Sequence, residues 1–286
     1  MSHPTSIRVR GLELAWGTRT YLMGIVNLTP DSFSGDGLAS ATTPTVLAAC
    51  RRMVAEGADL LDLGAESTRP GHEPVDAVAE QARLMPVLRA LRTEFPDLPI
   101  SVDTRKPEVG AAALDAGADL LNDVAGVTGD GRMAALAGKR GVPYVLMHDR
   151  AVPATPDIAR RVTEDLAAAV ARAEALGCPR GSVIVDPGIG FGKDAAGNLL
   201  LLRDLHRLHA LGAPVLLGAS RKSTIGRVLD LPPEERLEGT LATTVLGVAA
   251  RVDIVRVHDV RANLRAVRMA DAIVRGWRDH TSGGAA

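Results

Sequence analysis

Apolar residues along the chain gather into short unbroken runs separated by longer helical stretches. Eight runs stand out: Tyr21–Val26, Leu60–Leu63, Pro99–Val102, Leu120–Leu121, Tyr144–Met147, Val183–Val185, Val215–Leu217 and Ile254–Val257. Each is bounded by Gly, Pro or a polar residue and is mostly continuous rather than alternating, the pattern of strands buried on both faces of a parallel sheet. Thr45–Glu56, Asp76–Thr93, Thr155–Leu176 and Asn198–His209 are amphipathic or Ala-rich and predict helices. Pro44 and Pro107 sit where a first helical turn tolerates proline, and Gly57 and Gly177 where a helix stops. Successive runs begin roughly 20–40 residues apart, room for one crossover helix each time. Eight strand–helix units in one array predict an α/β protein, a (β/α)8 TIM barrel. The alternative, an open doubly wound sheet, requires a Gly-rich first turn, and Asn27–Leu38 lacks G-x-G-x-x-G. Residues Ile7–Gly17, in a segment reaching to about residue 20, predict a short hairpin that could plug the barrel bottom. The tail Asp279–Ala286 reads as disordered. No linker divides the chain, so 1–286 reads as one domain.

Composition removes several function classes. With 33 Lys and Arg against 34 Asp and Glu, the net charge of −1 gives no basic excess for nucleic acid or anionic membrane. Cys50 and Cys178 are too far apart in sequence for a disulfide framework or metal finger. Neither a signal peptide nor a membrane span is expected, which points to the cytoplasm. Lysine occurs four times, and three of the four (Lys106, Lys193, Lys222) fall in loops after strands, where a compact ammonium differs from a planar guanidinium.

The chemistry lies at the C-terminal end of each apolar run. In order the strand ends carry Asn27; Asp62 and then Glu66-Ser67-Thr68-Arg69; Asp103; Asn122-Asp123; His148-Asp149; Asp186; Ser220-Arg221-Lys222; and Arg256 with His258. In an α/β barrel these ends converge on one face, where ligands bind. Arg69, Arg221, Lys222, Arg256 and His258, with Ser67, Thr68, Ser220 and Asn27, suit an anion such as phosphate or diphosphate. Asp103, Asn122 and Asp186 suit a ring edge carrying several N–H donors. The structural alternative for Asp103 and Asp186 is helix N-capping. His148 reads as a strand-end histidine satisfied by its surroundings, with no second histidine at zinc-ligand spacing. The loops Asn27–Leu38 and Gly64–Pro74 are rich in Gly, Pro and Ser, as lids often are.

Seven motifs, in register from the first strand to the last, carry a resemblance. Asn27–Ser34 (NLTPDSFS), Glu66–Gly71 (ESTRPG), Ser101-Val102-Asp103, Asn122-Asp123-Val124, Asp186–Lys193 (DPGIGFGK), Ser220–Ser223 (SRKS) and Arg256–Val260 (RVHDV) are similar to those of the dihydropteroate synthase family. The resemblance implies a transferase of folate biosynthesis that condenses (7,8-dihydropterin-6-yl)methyl diphosphate with 4-aminobenzoate. It implies that Asp103, Asn122, Asp186 and Lys222 hold the pterin, and that Asn27, Arg69, Arg256 and His258 hold the diphosphate. Mg2+ would sit at Asn27. Thr68, Pro70, Phe191 and Ser220 would shape the aminobenzoate site. Asp31 and Phe33, in the first closing loop, would join Asp103 and Lys222 in catalysis. A homodimer is also implied, through Leu241–Ala250 and the last helix.

Two departures from the family pattern stand out. Gly64-Ala65-Glu66 replaces a usual pair of glycines, and Asp149–Pro153 replaces a Met-Gln-Gly stretch after His148. A methyltetrahydrofolate:corrinoid methyltransferase also resembles this barrel but has no reason to keep Arg69, Arg256 and His258. A non-catalytic pterin-binding paralogue would be expected to have lost a strand-end residue.

Overall fold

The computed structural model describes residues 6–28, 42–67, 75–179 and 181–277. A hairpin of β1 (Ser6–Val9) and β2 (Leu12–Ala15) precedes the barrel strands β3 (Tyr21–Asn27), β4 (Leu60–Gly64), β5 (Ile100–Asp103), β6 (Leu120–Asp123), β7 (Tyr144–Met147), β8 (Val183–Asp186), β9 (Leu216–Leu217) and β10 (Ile254–Val257). The helices are α1 (Thr43–Ala55), α2 (Ala77–Glu94), α3 (Pro107–Asp115), α4 (Arg132–Arg140), α5 (Ile158–Ala175), α6 (Ala195–Arg203), α7 (Ser223–Leu229), α8 (Leu237–Ala249) and α9 (Val260–Arg275). All eight barrel strands are parallel, in the order β8-β7-β6-β5-β4-β3-β10-β9. The ring closes between β8 and β9 through the single bridge Val185–Val215, where Val185 N donates to Pro214 O at 2.9 Å.

The eight predicted runs and the barrel are therefore present, with starts within a residue of expectation. Gly57 and Gly177 do end α1 and α5, both at φ +101°, where a side chain would be strained. The segment Asn198–His209 differs from expectation. The Asp194 carboxylate caps Gly197 N at 2.7 Å and starts α6 earlier, and the chain leaves the α-helix at Asp204 for a 3-10 segment, Leu205–Leu211. The tail Asp279–Ala286 lies outside the described residues.

Period-two alternation separates two layers of core. Outward residues such as Leu61, Leu63, Val102, Leu121, Leu146, Val185 and Val255 pack with the helices. Inward, Tyr21, Met23, Leu60, Leu120, Val145, Ile184, Leu216 and Ile254 fill the barrel bottom, with Val9 and Leu14 of the hairpin laid against them. Leu14 is fully buried, and the Tyr21 hydroxyl accepts from Ala15 N at 2.7 Å, so the hairpin does plug that end.

Candidate active site

On four barrel strands the inward position two residues further along becomes polar. Leu60 is followed by Asp62, Leu120 by Asn122, Ile184 by Asp186 and Ile254 by Arg256; β5 ends on Asp103, and Leu216 is followed by Gly218, which has no side chain. The bowl thus sits directly on the apolar floor. Arg256 is its hub: Nε donates to Asp62 Oδ2 at 2.6 Å and Nη2 to Asp103 Oδ2 at 2.8 Å. Asn122 Nδ2 donates to that same Asp62 oxygen at 3.1 Å. A Cβ on Gly218 would lie 3.5 Å from Asp186 Oδ2, 3.9 Å from Lys222 Nζ and 4.0 Å from Arg256 Cδ, so the three groups border one point.

Burial sets the electrostatics. It pushes the Asp103 carboxyl up to about 7, against the Arg256 guanidinium and with help from the Asp62 and Glu80 charges. It also raises Asp186, opposed by the Lys222 ammonium and the Gly188 amide. Lys222 is lowered to about 8 by burial, with Asp186 opposing. Burial works against the charge of Arg256, but Asp62 and Asp103 outweigh it and raise its pKa.

The N-capping alternative fails for both carboxylates. Lys106 is the N-cap of α3, so Asp103 is not, and Asp186 accepts from Gly188 N at 2.7 Å, two residues on, without capping a helix. That contact belongs to the loop after β8. Gly188 there is at φ +66°, and a Cβ on it would come 1.9 Å from His148 O. Lys193 Nζ donates to His148 O, Gly188 O and Phe191 O at 3.1, 3.0 and 2.8 Å, organising the loop from inside. Phe191 is thereby set with its ring 4.6 Å from Lys222 Nζ, and Lys222 also donates to Ile189 O.

At the rim, Ser220 Oγ and His258 Nδ1 are 3.0 Å apart, and His258 N donates to Ser220 Oγ at 3.2 Å. Asn27 is half-buried at the end of β3 and makes no side-chain hydrogen bond to a described residue. Asn27 and His258 line one groove of about 710 Å³ beside α1 and α9. Arg221 is engaged by Asp259 through two hydrogen bonds of 3.0 and 2.6 Å. His148 is fully buried with Nε2 3.1 Å from Asp165 Oδ2, but its Nδ1 is buried with no hydrogen-bond partner, so the expectation of a fully satisfied histidine is met at one ring nitrogen and not at the other. Its atypical neighbours are tied down too: Asp149 accepts from Thr128 N at 3.0 Å, and Val152 N donates to Gly192 O at 3.0 Å.

The structure therefore brings Asp103, Asn122, Asp186, Lys222, Phe191, Ser220, Arg256 and His258 to one end of the barrel, with Asn27 at its rim. Asp31, Phe33, Thr68, Arg69 and Pro70, with most of both expected lids (29–38 and 68–74), lie outside the described residues. The base of the second loop is nevertheless built: Glu66 Oε1 accepts from Val75 N at 3.2 Å, and Lys106 Nζ bridges Glu66 Oε2 and Glu80 Oε2 at 2.8 and 2.6 Å. Sequence reasoning passed over Asp62 as a site residue. Its signal was available: a carboxylate at the inward phase of an otherwise apolar strand.

Three kinds of comparison bear on this bowl. The family model described as "Pterin binding enzyme" matches residues 23–258. The dihydropteroate synthase of Clostridium beijerinckii is 44% identical over 270 residues, covering 94% of this chain and 100% of the relative. That of Bacillus subtilis is 44% identical over 268 residues, 94% of this chain and 93% of the relative. Among solved structures, a Clostridium difficile dihydropteroate synthase determined in the presence of pteroic acid superposes with a TM-score of 0.85 at 47% identity, covering 91% of this chain and 98% of that one. A Xanthomonas albilineans dihydropteroate synthase with 4-aminobenzoic acid gives 0.83 at 40% identity, covering 92% and 94%.

Proposed function

We infer, from the premise that the chain belongs to the pterin-binding enzyme family as a dihydropteroate synthase, how its bowl carries out that family's condensation. The substrates are (7,8-dihydropterin-6-yl)methyl diphosphate and 4-aminobenzoate; the products are 7,8-dihydropteroate, diphosphate and a proton. The observation that carries the assignment of roles is the convergence of Asp186, Lys222 and Arg256 on the space left open by Gly218, with Asp103 and Asn122 beside them.

The Asp186 carboxylate accepts the paired N–H donors of the pyrimidinone edge, and Asn122 and Lys222 complete the hold on the ring. The C–O bond to diphosphate then breaks, and the positive charge left on the methylene is shared with the ring, where Asp103 stabilises it. His258, Arg256 and Arg69 stabilise the departing anion. The aniline nitrogen attacks the methylene, forming the C–N bond and losing its proton. This step needs placement more than a strong base, and Phe191, Ser220, Thr68 and Pro70 supply it. Asp31 and Phe33 close over the ligands.

Asn27 would hold Mg2+. A free amide oxygen at the rim, with no carboxylate–histidine cluster among the described residues, fits an ion that has few protein ligands and is carried mainly by diphosphate. When bound, the ion neutralises charge on the leaving group.

The protein acts as a homodimer in the cytoplasm. No helix among the described residues is long and apolar enough to cross a membrane. Leu199, Val228, Leu229, Val245 and Leu246 leave an apolar face on α6, α7 and α8 around a groove of about 600 Å³, the chemistry a second copy would cover.

Incubation with pterin diphosphate, Mg2+ and 4-aminobenzoate should release diphosphate and form dihydropteroate, with a sulfonamide blocking both. Absence of product with folded protein would refute the assignment. A corrinoid methyltransferase would leave the diphosphate intact.

A further inference from the structure

Asp62 is the most buried charged group of the bowl, and none of the ligand roles above uses it. Its side chain is fully buried in the middle of β4, flanked in register by Ile25 and Ser101. One oxygen, Oδ2, carries both of its contacts, Arg256 Nε at 2.6 Å and Asn122 Nδ2 at 3.1 Å. The other, Oδ1, is buried with no partner, as is Ser101 Oγ. A carboxylate with this little hydrogen bonding is held in place by the cation, since an unpaired buried charge is costly. Arg256 in turn spans two carboxylates that differ in surroundings: the Asp62 side chain is 0% exposed and that of Asp103 11%. Solvent or ligand can therefore replace the Asp103 contact more readily than the Asp62 contact.

We propose that Asp62 is a positioning residue of the pterin-binding bowl: by sharing one carboxylate oxygen between Arg256 and Asn122, it keeps the guanidinium from closing on Asp103 and leaves Asp103 and Asn122 presented to the ring. The proposal rests on the synthase reading above. Without the Asp62 charge, Arg256 has Asp103 as its nearest anion, and a two-point pair there takes Asp103 from the substrate. The groups whose charges act on Asp103 are Asp62 from β4, Glu80 from α2, Lys222 from the loop after β9 and Arg256 from β10. Removing Asp62 deletes one repulsion and strengthens one attraction, so Asp103 ionises at lower pH.

The test is Asp62→Asn, which keeps shape and one acceptor. KM for pterin diphosphate is expected to rise about tenfold or more, with KM for 4-aminobenzoate changed less than about twofold. The limb of kcat/KM near neutral pH should move to lower pH. A loss of kcat in proportion to unfolded protein, with both KM values and the pH profile unchanged, would assign Asp62 a purely structural role and overturn the proposal. Should the variant fail to fold, a crystal structure of the wild-type protein with the dihydropterin alcohol decides. Arg256 Nε remaining on Asp62 while Nη2 has left Asp103 supports the proposal; Arg256 leaving Asp62 for Asp103 overturns it. Wild-type turnover is the control. Its absence sinks the synthase reading, whereas an active wild type beside an unaltered Asp62→Asn variant sinks this inference alone.

Discussion

Single residues in the bowl hold charge states that water would not permit, and that has measurable consequences. Asp103 ionises near 3.8 when unfolded but near 7 in the barrel, because burial disfavours its charge. Between those values the folded chain keeps a proton that the unfolded chain has lost, so this group's contribution to stability falls as pH rises through the window and levels off above about 7. Lys222, lowered from 10.5 to about 8, acts with the opposite sign: between these values the unfolded chain keeps the proton, and stability recovers as pH rises. The thermal midpoint should therefore decline from pH 5 to 7, and Asp103→Asn should make that decline shallower. An unchanged slope would mean that Asp103 is not desolvated. Asp186→Asn isolates charge from geometry at a second position. The amide can still accept from Gly188 N but gives up the two-point grip on the ring and leaves Lys222 with only the Asp103 carboxylate to oppose its desolvation. A loss of about 100-fold in kcat/KM for pterin diphosphate is expected. Full activity would reduce Asp186 to a turn-holding residue.

At the scale of elements, the loop after β8 is built from within. Its lysine sits where three carbonyls converge, and burial lowers that ammonium to about 8. Lys193→Met keeps the length of the side chain and abandons the carbonyls of His148, Gly188 and Phe191. Unfolding measurements should show a cost of about 2–3 kcal/mol. Because Phe191 loses its anchor, KM for 4-aminobenzoate should rise several-fold while pterin binding, measured by calorimetry, changes little. A wild-type KM would separate Phe191 from the aminobenzoate site. The same loop pairs with the unusual stretch after β7 through Val152 and Gly192, which accounts for how Asp149–Pro153 is accommodated without disturbing the bowl.

At the scale of the whole molecule, the barrel separates stability from chemistry along its axis. The hairpin end carries Val9, Leu14 and an apolar floor, whereas the opposite end carries the buried ionisable groups assigned to ligand. Leu14→Ala should cost about 2–4 kcal/mol by chemical denaturation and leave both KM values unchanged. A change in KM would mean that the floor transmits strain to the bowl. The apolar face of α6, α7 and α8 lies on the flank between the two ends. On the proposed homodimer, Leu246→Glu, at a residue 56% exposed, should yield a monomer by sedimentation velocity where the wild type sediments as a dimer, with its far-ultraviolet circular dichroism unaltered. A persistent dimer would place the interface elsewhere.

The order of elements was legible in the chain because burial on both faces imposes continuous apolar runs, and a polar residue at the end of each run marks the open face of a barrel. Family membership was legible because seven motifs keep register from Asn27 to Val260. Contacts between residues far apart in sequence were not legible. That Arg256 lies between Asp62 and Asp103, separated from them by 194 and 153 positions, emerges only once β10 pairs with β3 and the ring closes. The same closure decides pKa values, because desolvation depends on what surrounds a group in space and not on its neighbours along the chain. Asp62 shows the boundary: its place on the inward face could be read from a period of two, but its two partners could not.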